Sequence, residues 1–249
     1  MKLLFLSLAF LSCVGSARGQ KEGVDFQNGL SWVEVKQKAA LEDKFIFLDI
    51  FATWCQPCRV MDREIFPAKK LGDFLNNQFV SVRVQADTSK LDNKHTKEWY
   101  EDARKIIIEN KVNAFPTQLF FSPQGKLLSK GLGYKGVEEL IELANDALDP
   151  DKQYYTLLEK FEAGQLDYSR MSDLAAKAKS FGDRKTAQKI FDEYLNNYLL
   201  KLESSELFTQ KNLRLIGQNI NETQGKGFQF FRLHREKINS IFKSDFADY

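Results

Sequence analysis

The residues whose type and spacing can do chemistry are Cys55 and Cys58, separated by two residues in Trp54-Cys55-Gln56-Pro57-Cys58. A thiolate attacks a disulfide, and two intervening residues let a second thiol reach back, close a small ring and resolve the mixed disulfide. An apolar run, Phe45 to Phe51, precedes the pair, and a helical pattern over residues 58–77 follows it. Cys55 then falls at a helix N-terminus, where unpaired N–H groups and the macrodipole stabilise a thiolate. The third cysteine, Cys13, lies in the N-terminal segment, so a processed chain holds no thiol for any other structural bridge.

Other chemistry finds little support. A closed zinc site needs about four nitrogen or sulfur ligands, and Cys55, Cys58 and the distant His95 and His234 do not supply them, so no metal is expected. His95 is expected to be solvated and His234 to pack on an aromatic helix. No phosphate-binding loop, serine-triad signature or basic, aromatic-rich nucleic-acid surface is present. The 249 residues are 43% hydrophobic and 28% charged, which excludes a disordered or membrane-embedded chain.

Lys2, the apolar run after it and the small residues from Gly15 to Gly19 read as a secretory signal peptide over residues 1–19, cleaved before Gln20. Without Lys2 and Arg18, the 36 basic side chains fall to 34 against 34 acidic, and a neutral chain has no overall pull toward nucleic acid or an anionic membrane. Phe10-Leu11-Ser12-Cys13 loosely resembles a lipobox, the alternative in which Cys13 is acylated. Both readings export the chain, with a bacterial periplasm as the expected compartment.

Alternating elements must position the two thiols. Residues 30–43 carry apolar side chains at Leu30, Val33, Ala40 and Leu41, a helical pattern. The run from Phe45 to Phe51, interrupted only by Asp49, suits a central strand covered on both faces. The helix over 58–77 meets a kink or break at Pro67. Phe79 to Ala86 alternates and is β-branched, a second strand. Residues 90–111 read as a helix with Lys94–Glu98, Lys97–Glu101 and Glu101–Lys105 pairs. Thr117 to Phe121 and Lys126 to Ser129 form a hairpin about a type I turn, Ser122-Pro123-Gln124-Gly125. A helix over 136–148 closes an α/β unit with a mixed sheet.

From Asp149-Pro150 onward no strand pattern remains. Helices near 151–163, 169–180, 184–200, 205–219 and 228–243, with Gly164 and Gly182 as caps, predict an all-α helical-hairpin domain without a strict repeat. The expected organisation is a signal peptide at 1–19, an α/β domain at 20–148 and a helical domain at 149–249. The final Ser244 to Tyr249 brings no polar capping unit, so homodimerisation or client capture are candidate roles for this second domain.

The stretch from Asp49 to Cys58 resembles the active-site segment of the thioredoxin superfamily, and Phe115-Pro116-Thr117 resembles its cis-proline loop, in the expected order. The resemblance covers residues 25–148. From Met61 to Phe66, and on to Asn76, the sequence is more similar to secreted bacterial thioredoxin-like proteins, notably the C-terminal domain of transmembrane disulfide reductases. This implies a thioredoxin fold and no cofactor beyond a redox-active Cys55–Cys58 disulfide. Cys55 would be the attacking nucleophile and Cys58 the buried resolving thiol. Asp49 would be the buried acid that exchanges the Cys58 proton through a water, its pKa raised by burial. Trp54 would offer a client surface, and Phe115, beside a cis Pro116 and followed by Thr117, would pair with an extended client peptide. Family members often place a lysine opposite the acid; here Arg83 and Gln85 stand nearest. Gln56 and Pro57 set the redox poise, and a proline at the second position with no histidine inside the motif matches the reducing members.

The expectation is an exported enzyme, a thiol–disulfide oxidoreductase that reduces client protein disulfides and is recharged by an upstream membrane electron donor. The alternatives are a disulfide isomerase or oxidase, and a non-catalytic interaction protein acting through its helical domain.

Overall fold

The computed structural model describes residues 22–220 and 225–243. The N-terminal residues read above as a signal peptide, Cys13 among them, and the tail from Ser244 to Tyr249 lie outside the described residues. Four strands, β1 (Phe45–Phe51), β2 (Phe79–Gln85), β3 (Thr117–Phe121) and β4 (Leu127–Leu132), form one sheet in the order β2-β1-β3-β4. β1 runs parallel to β2 and antiparallel to β3, and β3 is antiparallel to β4, the mixed sheet that the sequence predicts. Strand alternation sends Ile46, Leu48 and Ile50 to one face and Phe47 and Asp49 to the other. The first face packs against α1 (Trp32–Glu42) and α5 (Tyr100–Glu109). A π-helical turn (Met61–Ile65), α3 (Lys69–Gln78) and α6 (Val137–Leu148) cover the second. In the register, Asp49 faces Arg83 on β2 and Gln118 on β3, so the three residues form one polar row across an apolar surface.

Several elements differ from the sequence pattern for identifiable reasons. In α1 the buried positions are Val35 and Ala39, while Val33 and Leu41 are exposed. Trp32, at spacing three before Val35, sets the core-facing stripe instead. The helix over 58–77 breaks where Pro67 removes a donor: α2 (Gln56–Val60) and the π turn lie before it, and α3 starts at Lys69. The span 90–111 is two helices, α4 (Lys94–Glu98) and α5, meeting at Trp99. Lys94–Glu98 and Lys105–Glu101 pair at 3.7 and 2.7 Å, whereas Lys97 Nζ donates to the Lys90 carbonyl at 3.1 Å. The hairpin turn closes through Gly125 N–H to Ser122 O at 2.9 Å. β4 begins a residue late, next to a register shift at Phe120–Phe121, and runs on through Lys130 and Gly131. Those two are poor strand residues by type. Lys130 is nevertheless buried, with its ammonium 6.0 Å from the Phe181 ring, and Gly131 leaves room for Leu143 and Gln118.

The C-terminal region has its own apolar core. It comprises α7 (Tyr154–Glu162), α8 (Tyr168–Ser180), α9 (Arg184–Asn197), α10 (Ser204–Leu207), α11 (Gln210–Gly217), α12 (Lys226–Leu233) and α13 (Arg235–Phe242). Gly164 and Gly182, at φ of 67° and 75°, end α7 and α8 in the left-handed conformation that closes a C-terminal cap. The span 205–219 divides because the Thr209 hydroxyl caps α11, and 228–243 divides at His234, whose ring packs on Phe208 and Phe230. α7 and the α8–α9 turn lie against β4, with Lys126 paired to Glu159 at 2.6 Å, so this outer strand is covered rather than left as an open pairing edge.

Gly72 of α3 admits the chain before α1: a Cβ there would overlap the Gly23 backbone, and Asn76 holds the same segment through Asp25 N–H at 2.8 Å and Gly23 O at 3.0 Å. Gly72→Ala should cost about 1–3 kcal/mol. Urea unfolding checks this, and an unchanged midpoint would show that the segment is not packed there.

Candidate active site

β1 ends at Phe51, and the chain turns through Ala52, Thr53 and Trp54 into α2. The turn is tied from both sides. Asp87, just beyond β2, accepts from Thr53 N–H at 2.9 Å and from the Thr53 hydroxyl, while Arg59 Nη2 donates to Thr53 O at 2.7 Å. Cys55 is the N-cap of α2, and its Sγ accepts the Cys58 backbone N–H at 3.2 Å. That donor is one of the free N–H groups at a helix start and would hold a thiolate at Cys55 in the reduced state. Gln56 and Pro57 form the first turn, where proline removes only an N–H that needs no intrahelical partner.

Cys55 and Cys58 are joined in a disulfide. Cys58 is 1% exposed and Cys55 3%, both packed with Ala52 and against Phe51 and Phe115. Trp54 is 67% exposed and meets the Phe115 ring edge-on at 5.9 Å. The Phe115–Pro116 peptide is cis, and Pro116 O accepts from Gly133 N–H at 2.8 Å. Thr117, placed by the sequence in the client-binding loop, is fully buried, and its hydroxyl donates to Ala114 O at 2.7 Å. It braces the loop from inside and offers no surface.

Asp49 is 1% exposed and accepts from Arg83 Nε at 3.2 Å. Arg83 therefore stands where the sequence showed no lysine. Burial pushes the Asp49 carboxyl up to about 6; the charge and hydrogen bond of Arg83 pull against this, and Asp62 adds to it. Arg83 also contacts Asp62 at 2.7 Å and lies over the Phe51 ring at 4.1 Å. Gln85 turns away, donating to Asp92 and to the Asp87 carbonyl. Asp62, Asp87 and the aromatic bed of Arg83 escaped the sequence reading. The spacing of Asp62, four residues after Cys58, was a usable signal, because it puts both on one face of the helix entering the π turn.

No group of three or more histidine, cysteine or acidic residues positioned to hold a metal occurs among the described residues. His95 Nε2 accepts from Gly29 N–H at 3.2 Å, and His234 lies among Phe208 and Phe230; neither ring is bonded to the disulfide.

A mixed four-stranded sheet with helices on both faces, a CxxC capping a helix, a cis-proline loop and a buried acid describe a thiol–disulfide exchange site. Sequence comparison with known proteins agrees. The family model described as "Thioredox_DsbH: Protein of unknown function, DUF255" matches residues 20–143. Thioredoxin-1 of Saccharomyces cerevisiae is 30% identical over 95 residues, spanning 38% of this chain and 74% of the yeast protein. A thioredoxin of Aspergillus fumigatus is 30% identical over 107 residues, 43% of this chain and 81% of the fungal protein. Among solved structures, the oxidised C-terminal domain of Neisseria meningitidis DsbD aligns with a TM-score of 0.36 and 17% identity, covering 46% of this chain and 90% of that one. The chain belongs to the thioredoxin superfamily, and its activity class is thiol–disulfide oxidoreductase.

The Asp49 carboxyl gives a stability prediction with a definite sign. Its folded value, about 6, lies above the ordinary 3.8. Between these values the folded state binds more protons than the unfolded one, so stability falls as pH rises through this window and the full penalty stands above it. Asp49→Asn should therefore raise unfolding stability by about 2 kcal/mol at pH 8, net of a weaker bond to Arg83, and by almost nothing at pH 3. Denaturant midpoints of the oxidised protein at the two pH values measure this. A gain of equal size at both would mean that Asp49 carries no buried charge.

Proposed function

We propose that this protein is an exported reductase of client protein disulfides, with residues 20–148 as the catalytic domain and residues 149–249 as a second domain, of which α7 lies behind β4. The observation that carries the reading is the Cys55–Cys58 disulfide at the start of α2, with Cys55 next to the exposed Trp54 and with both cysteines packed on Phe115 of the cis-proline loop.

In the reduced enzyme the Cys55 thiolate attacks one sulfur of a client disulfide. A Cys55–client bond forms, the client S–S bond breaks, and the client's other sulfur leaves as a thiolate. Cys58 then gives its proton toward Asp49, by way of a water, and attacks Cys55 Sγ. The internal disulfide closes, the mixed disulfide breaks, and the second client sulfur leaves and takes up a proton. Two electrons pass from the dithiol to the client. A carboxyl poised near pH 6 can take and return that proton around neutrality. Client peptide would lie against Trp54 and Phe115, with Pro116 holding the loop beside the disulfide.

What surrounds Cys55 supports the reducing direction. An imidazolium inside the motif would stabilise the reduced thiolate and favour oxidation of clients; here Gln56 and Pro57 fill the motif, and His95 and His234 are bonded or packed elsewhere. The signal segment at residues 1–19 supports export, with lipidation at Cys13 as the alternative, and a donor of electrons at the membrane would return the disulfide to the dithiol. No helix among the described residues is long and apolar enough to cross a membrane.

The reduction potential of the Cys55–Cys58 pair tests the direction. Equilibration of residues 20–249 against glutathione and dithiothreitol should give a value near the roughly −270 mV of thioredoxin. A value between about −180 and −120 mV would make the protein an isomerase or an oxidant of clients.

A further inference from the structure

Arg83 serves two carboxylates from one guanidinium. Its Nε donates to Asp49 Oδ2 at 3.2 Å, and its Nη1 lies 2.7 Å from Asp62 Oδ1, a charge contact whose angles are not those of a hydrogen bond. The planar group is held from three sides, with Phe51 at 4.1 Å, Phe66 at 5.7 Å and Phe26 at 5.9 Å from their ring centres. Arginine usually grips a carboxylate with two parallel bonds. Here Asp49 receives one, Asp49 Oδ1 is buried with no hydrogen-bond partner among the described residues, and Arg83 Nη2 likewise makes none. Asp62 reaches the far end of the guanidinium because the π turn Met61–Ile65, directly after α2, carries it over β2.

We infer that Asp62 is a positioning residue for the Asp49 proton step: it draws one end of Arg83 away, so that Asp49 is only partly neutralised and can carry a proton when the resolving thiol must lose one. The inference rests on the reading of Asp49 as the proton acceptor for Cys58. Two carboxylates and one fixed cation leave one negative charge in excess. The proton that removes it goes to the member that water cannot reach, and this is Asp49, since the Asp62 side chain is one-third exposed. The groups facing Asp49 are few. β2 brings Arg83, the π turn brings Asp62 and β3 brings the uncharged Gln118; Cys58, the proton donor of the proposed reaction, is held in the disulfide and does not titrate while oxidised. The opposing pulls of Arg83 and Asp62 on the Asp49 carboxyl have the signs this arrangement requires.

Removing the Asp62 charge should free Arg83 for Asp49 and strip away a like charge, both of which favour the Asp49 anion. In the oxidised protein, carboxyl-carbon NMR of Asp62→Asn should show the Asp49 titration midpoint lowered by roughly half a pH unit or more. Asp62→Ser should move it the same way, and Asp62→Glu should leave it near the wild-type value. A midpoint that stays put or rises in Asp62→Asn and Asp62→Ser overturns the inference. The parent reading has a separate readout: the pH limb in the rate at which a mixed disulfide at Cys55 is resolved. That limb should be lost in Asp49→Asn and shifted to lower pH in Asp62→Asn. If Asp49→Asn keeps the limb, the proton-acceptor reading of Asp49 fails, and the positioning role of Asp62 fails with it even where the NMR shift is seen.

Discussion

A carboxyl group set inside an apolar sheet is the constraint on which the rest of this site depends. Asp49 sits in β1 between Leu48 and Ile50, with phenylalanines on its own face. An ion in such a place needs a counter-charge or a proton. The protein supplies part of each. Arg83, in register on β2, gives one hydrogen bond and a fixed positive charge, and burial makes up the difference by raising the carboxyl to about 6. A bidentate grip would have held Asp49 permanently ionised, while an empty neighbourhood would have kept it neutral through the physiological range. The half-compensated state between those limits is the one that can accept and return a proton.

The disulfide depends on the same strand in a different way. Because β1 is central and pinned by β2 and β3, its end delivers Cys55 at a defined point, and the Asp87 and Arg59 bonds to Thr53 keep the turn from drifting. The N-cap position then gives Cys55 the N–H of Cys58 before any client arrives. From the other side of the site, the cis peptide before Pro116 is held by Gly133 and by the buried Thr117. The helical region lies against the far edge, along β4. It closes a pairing edge and leaves the Trp54 side of the sheet open.

Much of this was legible in the sequence, and what was not has a common cause. The pair Cys55 and Cys58, the acid in the strand before them, the break at Pro67 and the caps at Gly164 and Gly182 are local patterns whose meaning does not require knowing which strand pairs with which. The Arg83–Asp49–Asp62 arrangement depends on the parallel pairing of β1 with β2; the spacing of Asp62 from Cys58 points to a shared helix face but not to Arg83. The apolar positions Leu30, Val33, Ala40 and Leu41 mark α1 as a helix but do not mark its inner face, because the sheet selects the Val35–Ala39 stripe. β4 was cut short because Lys130 and Gly131 are unlike strand residues, yet one is buried under Phe181 and the other is required by Leu143 and Gln118. Thr117 was assigned to the client surface by its neighbourhood in the chain, and the tertiary fold turns it inward.

The central claim is that exchange begins at Cys55 and is resolved by Cys58. The most direct measurement is trapping: Cys58→Ser and Cys55→Ser proteins, each reduced and mixed with insulin as a protein disulfide, followed by acid quenching and peptide mass mapping. The account predicts a covalent adduct through Cys55 in the Cys58→Ser protein, released by dithiothreitol, and none in the Cys55→Ser protein. Adducts of equal yield through either cysteine, or no adduct in Cys58→Ser, would contradict it.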